Sequence, residues 1–214
     1  MAAAVMEQIP VWSIPREWPG ERCFILCGGE SITQQRRQIA QLQGRIIAVK
    51  HGVLLRPDAD VLFVTAEAWD VLPLLPKFRG THVVVRGARK CPEIPAYVHR
   101  VTPTKDHTRL CELRTHVCGL DAGTSAIDLA YKFGATEIVL LGYDMTGGRW
   151  FCDSHGRGEW AHPMPTIPQQ HFRRHLQPLP AFAADAQRKG IRIVNCSPTS
   201  VVTVFERQPL ETFL

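Results

Sequence analysis

The chain predicts an α/β fold: one doubly wound, mostly parallel sheet with helices on both faces and a lid-like insertion. Three observations carry this reading. Short continuous apolar runs recur, bounded by glycine, proline or charge, as strands buried on both faces read. Helical patterns alternate with them. Glycines stand where those helices must stop. At 214 residues, with 45% apolar and 21% charged residues, the chain fits a single domain with an ordinary core.

Residues 1–20 carry tryptophans and prolines but no basic start followed by a long apolar stretch, so they are expected to form an arm rather than a secretion signal. The first strand is predicted over 22–27. Ser31 is the expected N-cap of a helix over 32–43, which Gly44 stops. A second strand covers 45–49, and a third covers 60–65 after a turn through His51-Gly52 and Arg56-Pro57-Asp58. The helix that follows carries Trp69, Leu72 and Leu75 and ends near Pro76. A fourth strand over 81–86 leads into a Gly/Pro loop, and 97–101 is expected to be an edge strand. Residues 102–120 carry no clear pattern. Then come a helix over 124–133, Gly134 as its stop, and a strand over 137–141. Residues 143–167 form a long insertion of the kind that is usually functional or disordered. A proline-started helix runs to about Lys189, Gly190 ends it, and 191–196 is the last parallel strand. Ser197 is expected to cap a further helix turn opened by Pro198.

No run of 18 apolar residues occurs, so no membrane span is expected. The seven cysteines include no CxxC pair, and Cys23, Cys27 and Cys196 lie in apolar runs. They read as reduced core residues in a cytoplasmic protein. The formal net charge of +5, with nine histidines, favours anionic partners such as nucleotides and phosphates. The basic residues are scattered, so charge alone does not point to nucleic acid.

In an open α/β sheet, ligands bind beyond the carboxyl ends of the strands. Gly28-Gly29-Glu30-Ser31 leaves the first strand and opens a helix, where backbone amides and the helix dipole can hold a phosphate. It matches neither GxGxxG nor the P-loop, and it also reads as an ordinary tight turn. Asp121-Ala122-Gly123-Thr124-Ser125 opens a second helix. Thr124 and Ser125 can donate to a ligand there, unless Asp121 and Thr124 simply cap. Asp144 leaves the 137–141 strand; it can accept from a sugar hydroxyl, join a divalent metal, or bind local amides. Asn195 and Ser197 close the last strand, where they can read a base or sugar or start a helix. Lys50 and His51 follow the second strand, where ribose contacts are made, and the lack of an acidic residue there argues against a nicotinamide cofactor. In the insertion, His155 and Asp153 suit a general base and its orienter. With His162 they also make a zinc set, though without HExxH spacing.

Residues 24–32 resemble the opening glycine loop of the bacterial sialyltransferases with a variant single-Rossmann fold. Residues 121–145 resemble that family's helix–strand unit, whose strand ends in Gly-x-Asp. Residues 190–214, with Asn195-Cys196-Ser197-Pro198 and Phe205, resemble its last strand and tail. The same features occur in a group containing archaeal 6-hydroxymethylpterin pyrophosphokinase and in many phage and bacterial proteins. The first resemblance implies a Rossmann-like fold and a nucleotide-sugar donor held by the first glycine loop and the Gly123 loop. It also implies a histidine base from the insertion, here His155 ahead of His162, and no metal. The second implies ATP and magnesium, with Asp144 among the ligands. A third reading is a nucleotide-sensing or interaction module without activity. The chain departs from the sialyltransferase pattern at Gly28, where that family has asparagine, at Glu30, where it has proline, and at Asp121-Ala122, where many relatives have Asn-Ser. The acceptor is left open. So is a homo-oligomer, which the apolar tail residues Val201, Val202, Val204 and Phe205 would suit.

Overall fold

The computed structural model describes residues 11–65, 75–87, 95, 97–147 and 168–214. Its strands are β1 (Arg22–Leu26), β2 (Arg45–Val49), β3 (Val61–Thr65), β4 (His82–Arg86), β5 (Val98–Pro103), β6 (His116–Val117), β7 (Glu137–Leu141), β8 (Arg192–Asn195) and β9 (Glu206–Arg207). They form one sheet in the order β6-β5-β4-β3-β2-β1-β7-β8-β9. Every pairing is parallel. The chain winds outward from β1 to β6, then crosses back to lay β7 on the other side of β1. The order therefore reverses between β1 and β7, the place where open α/β sheets open a ligand crevice.

Both faces of the sheet are covered, so β1, β2, β3 and β7 run apolar through consecutive buried positions rather than at alternate ones. On one face Ile25, Phe63, Ile138 and Leu140 pack with residues of α2 (Ala122–Phe133), α3 (Gln170–Leu176) and α4 (Leu179–Arg188). On the other, Phe24, Leu62 and Val139 pack with Ile32, Ile39, Val53, Leu210 and Phe213. These belong to 3-10 segments Glu30–Gln35, Lys50–Leu54 and Leu210–Phe213 and to the single-turn α1 (Arg36–Ile39). Before β1, Trp18 is buried, stacks on Phe133 at 4.1 Å between ring centroids, and donates its N–H to the Phe133 carbonyl.

The structure departs from the sequence expectation in four places. The helix expected over 32–43 is instead the 3-10 segment Glu30–Gln35 followed by α1. Ser31 lies inside that segment and is not its cap, because its amide and hydroxyl are both drawn away to Asp144. The strand expected at the edge is β5, and β6 lies outside it. The helix leading to Lys189 is two helices, α3 and α4. Pro178 between them has no N–H to continue the ladder and serves better at a helix start. After β8 a turn replaces the expected helix. Ser197 Oγ there accepts from the Tyr143 amide at 2.7 Å instead of capping.

Candidate functional site

The exits of β1, β2 and β7 and the start of α2 meet at the switch point. After β1, Gly29 donates its N–H to the Gly142 carbonyl at 2.8 Å. A Cβ at Gly29 would stand 2.5 Å from both that carbonyl oxygen and Asp144 Oδ2, so only glycine fits the approach. Ser31 completes the junction: its N–H donates to Asp144 Oδ2 at 2.9 Å and its hydroxyl donates to Oδ1. The turn after β2 seats Gly52 against the Leu26 carbonyl, which places Lys50 beside the β1 exit with a left-handed φ of 51°. The start of α2 closes the fourth side. A Cβ at Gly123 would lie 2.5 Å from the Tyr143 ring and 3.1 Å from Cys27 Sγ.

Asp144 is 5% exposed, and burial pushes its carboxyl pKa up, with the Glu30 charge adding and the two Ser31 donors opposing. Its carboxylate acts as a lock between the β1 and β7 exits. Asp121 caps α2: it accepts from the Thr124 N–H at 2.8 Å and from the Thr124 hydroxyl. Thr124 Oγ1 also meets Tyr143 Oη at 2.7 Å. Ser125 Oγ donates to the Asp121 carbonyl at 2.9 Å and accepts from Arg86 Nη1. Burial, helped by Asp121 and Asp144, pushes the Cys27 thiol well above its usual range, so it stays a thiol.

Asn195 and Ser197 are buried and hold backbone. Asn195 Oδ1 accepts from the Ser197 N–H at 3.0 Å, and Asn195 Nδ2 donates to Ser200 Oγ at 2.9 Å. Ser200 Oγ in turn donates to the Tyr143 carbonyl at 2.7 Å. Both backbone polar groups of Tyr143 are thus pinned, which sets the position of Asp144 next in the chain. Val201 N–H fixes the Asp144 carbonyl at 2.9 Å.

The structure therefore brings Gly28, Gly29, Ser31, Lys50, Gly123, Thr124, Ser125, Asp144, Asn195 and Ser197 to one end of the sheet, and most of their polar groups build its frame. Among the described residues no acceptor takes the N–H of Gly28 or of the exposed Glu30. These two amides lie at the β1 exit, on either side of Gly29, where a short 3-10 segment begins. His155, Asp153 and His162 lie outside the described residues. A divalent cation needs several oxygen ligands. Among the described residues no three His, Cys, Asp or Glu side chains gather to hold one, and both Asp144 oxygens are already bonded. Among the described residues no helix is long and apolar enough to cross a membrane. A cavity of 1110 Å³ opens elsewhere, at the β5–β6 margin, beside Arg100, Lys105, Arg109 and Glu112.

Sequence reading passed over three further residues. Arg86 is the last residue of β4 and bonds the α2 start. A cation ending an apolar strand was the available signal. His107 lies in the segment after β5, and His175 is buried on α3. Nothing local marks either.

No protein-family model matches the sequence, and no curated protein matches it. Solved structures do. The MAf glycosyltransferase from Magnetospirillum magneticum AMB-1 superposes with a TM-score of 0.61 at 14% identity, over 95% of this chain and 36% of that one. The fold is glycosyltransferase-like. This chain spans 36% of the MAf protein's length. The sialyltransferase CST-II, solved with a trisaccharide acceptor and CMP, superposes with a TM-score of 0.54 at 11% identity, over 87% of this chain and 85% of that one. At these identities the likeness concerns the glycosyltransferase-like fold, and the chemistry has to be argued from the site.

Proposed function

We propose that the protein is a nucleotide-dependent transferase of glycosyltransferase type. It would move a sugar from a nucleotide-sugar donor to a hydroxyl acceptor. The observation that carries the reading is the junction at the switch point: a glycine-only approach between the β1 and β7 exits, locked by Ser31 and Asp144, with the Gly28 and Glu30 amides unpaired beside it. A preset pair of N–H groups at a strand exit suits a phosphate, whose cost of ordering the loop has already been met in folding. Likeness to two glycosyltransferases over most of the chain supports the same reading.

On this reading the donor lies across the carboxyl ends of β1, β2 and β7. Gly28 and Glu30 donate to its phosphate, and Lys50 stands by its ribose side. Asp144, Thr124, Asn195 and Ser197 hold the floor rigid. His155, with Asp153 to orient it, takes the proton from the acceptor hydroxyl as the glycosyl bond forms and the nucleotide leaves. A positioned base of this kind is worth typically about 10²–10⁴-fold in rate.

The test is a thermal-shift panel of nucleotides and nucleotide sugars, each with and without magnesium. Stabilisation by a cytidine or uridine nucleotide without metal is expected. Stabilisation only by ATP with magnesium would overturn the proposal in favour of phosphoryl transfer, and no shift with any nucleotide would overturn it in favour of an interaction module. Once a donor is known, His155→Ala is expected to keep donor affinity and lose transfer by about 10²-fold or more. Loss of both together, or of neither, counts against His155 as the base.

A further inference from the structure

At the amino ends of β4 and β5, far from the glycine loops, two histidines meet the arm that precedes β1. His82 opens β4 and His99 is the second residue of β5. His82 Nδ1 meets His99 Nε2 at 3.3 Å, and His82 Nε2 meets Glu17 Oε2 of the arm at 3.1 Å. Trp12 of the arm stacks on the His99 ring, with 4.2 Å between centroids and 11° between planes, and lies 5.2 Å from the His82 ring. Its backbone N–H donates to the Arg100 carbonyl at 2.8 Å, beside the bridge that pairs Val11 with Arg100. Phe133, the last residue of α2, closes the cluster 5.7 Å from His82. Farther along the arm, Ile14 and Trp18 are buried and anchor it independently of these rings.

The hydrogen bonds fix the proton count. An ionised carboxylate only accepts, so His82 Nε2 carries the N–H that points to Glu17. Between His82 Nδ1 and His99 Nε2 there is room for one proton. With both rings neutral that proton belongs to His99. One added proton keeps the contact: an imidazolium at His82 donates to a neutral His99 and faces the Glu17 carboxylate. A second added proton sets two N–H groups against each other at 3.3 Å and two positive rings 5.3 Å apart. The two rings therefore titrate as a pair. Burial holds the His99 ring below its ordinary pKa of 6.5, with His82 adding and Glu17 opposing. Other charges on the surrounding elements are engaged or turned away. Arg114 donates to the Ile14 and Lys132 carbonyls, Lys132 pairs with Asp128, and Asp60 pairs with Arg45. Arg100 lies on the opposite face of β5 from its neighbour His99, and Arg16 is exposed. The lowered His99 pKa favours the fastened arm above pH 6.5, and that stability is lost as pH falls below it.

We propose that Glu17, His82, His99 and Trp12 form a pH-sensitive clasp, which fastens the start of the arm to β4 and β5 at neutral pH and releases it when both rings are charged. Release breaks the Trp12–His99 stack and the bond from the Trp12 amide to Arg100, while Ile14 and Trp18 keep the rest of the arm in place. It also uncovers the outer edge of β5 at Arg100, since β6 covers that edge only at Thr102 and Pro103. The clasp is thus a device that exposes a short stretch of strand edge in acid. It does not rest on the transferase reading, because none of its residues belongs to the switch-point junction.

Amide hydrogen exchange on the full chain, followed by NMR between pH 8 and pH 5 and corrected for the intrinsic rate at each pH, tests it. The Trp12 amide is expected to lose protection roughly tenfold or more across that range. The Ile14 amide, bonded to the Arg114 carbonyl, and the β1 amides are expected to keep theirs. His99→Gln and His82→Gln each keep a hydrogen-bonding side chain that takes up no proton, so each is expected to remove most of the loss. Glu17→Gln takes away the counter-charge and is expected to move the loss to higher pH. If His99→Gln does not fold, His82→Gln carries the same test. Trp12 protection that stays constant from pH 8 to pH 5 overturns the proposal. So does a loss that persists undiminished in the histidine variants, or one that appears only together with loss at the β1 amides, which would mark general acid unfolding.

Discussion

Gly29→Ala tests the junction at the switch point directly. The glycine has an ordinary φ of −69°, so alanine brings no backbone strain and the effect is steric alone. The new Cβ would lie 2.5 Å from Asp144 Oδ2 and from the Gly142 oxygen, where ordinary contact begins at 3.4 Å. The two exits must separate by about 0.9 Å to admit it, which an overpacked interior resists at roughly 1–3 kcal/mol. That movement stretches the 2.9 Å bond from Ser31 N–H to Asp144 beyond useful length. A hydrogen bond to a charged group contributes about 1.5–3 kcal/mol. Relaxation shares these costs, so we expect a loss of about 3 kcal/mol, equivalent to roughly 6–12 °C in a chain of this size. Urea denaturation at pH 7 measures it, with Ser31→Ala as a partner that removes one donor without adding bulk. Ser31→Ala should lose less, about 1–2 kcal/mol. A Gly29→Ala protein within about 0.5 kcal/mol of the wild type would refute the argument, because side chains do not fit contacts that short. Nucleotide affinity in the same variant should fall, since the Gly28 and Glu30 amides ride on the displaced loop.

Two further outcomes follow from buried charge. Lys132 and Asp128 form an ion pair inside α2, with side chains 2% and 0% exposed, and Asp128 also accepts from the Cys111 and Cys118 amides at 2.8 Å each. Lys132→Met should cost about 3–5 kcal/mol at pH 7 by urea titration and recover part of it in mild acid, as Asp128 takes up a proton; a cost below about 1 kcal/mol would show the pair to be dispensable. Asp144 has a folded pKa raised by burial, so the folded state binds its proton more tightly than the unfolded chain does. Its stabilising effect therefore grows as pH falls through the folded pKa and is complete below the ordinary value of 3.8. Asp144→Asn should lose this trend: its stability relative to wild type should fall between about pH 7 and pH 4, and parallel pH curves for the two proteins would contradict the raised pKa.

Much of the fold was legible because its signals are local. The apolar runs that became β1, β2, β3, β4, β7 and β8 had to be strands buried on two faces. Asp121 and Gly134 marked the ends of α2, and the structure shows one accepting from the Thr124 amide and the other at φ 106°. Two of the failures have a common cause. The helix expected after Ser31 and the helix turn expected after Ser197 both assumed that a hydroxyl serves its own neighbours. Ser31 instead serves Asp144, 113 residues away, and Ser197 serves Tyr143, 54 residues away.

What the sequence by itself determined is the strands β1, β2, β3, β4, β7 and β8, the helix α2, the parallel class of the sheet and the loops that carry glycine and polar residues at strand exits. Those follow from periodicity, capping and the steric freedom of glycine, all of which act within a few residues. The tertiary structure alone decided that β7 lies against β1, that Asp144 is a lock between two exits, and that Asn195 and Ser200 clamp Tyr143. The physical reason is that sheet order chooses the partner of a polar side chain, and sheet order is settled by burying two whole faces at once rather than by the residues next in the chain.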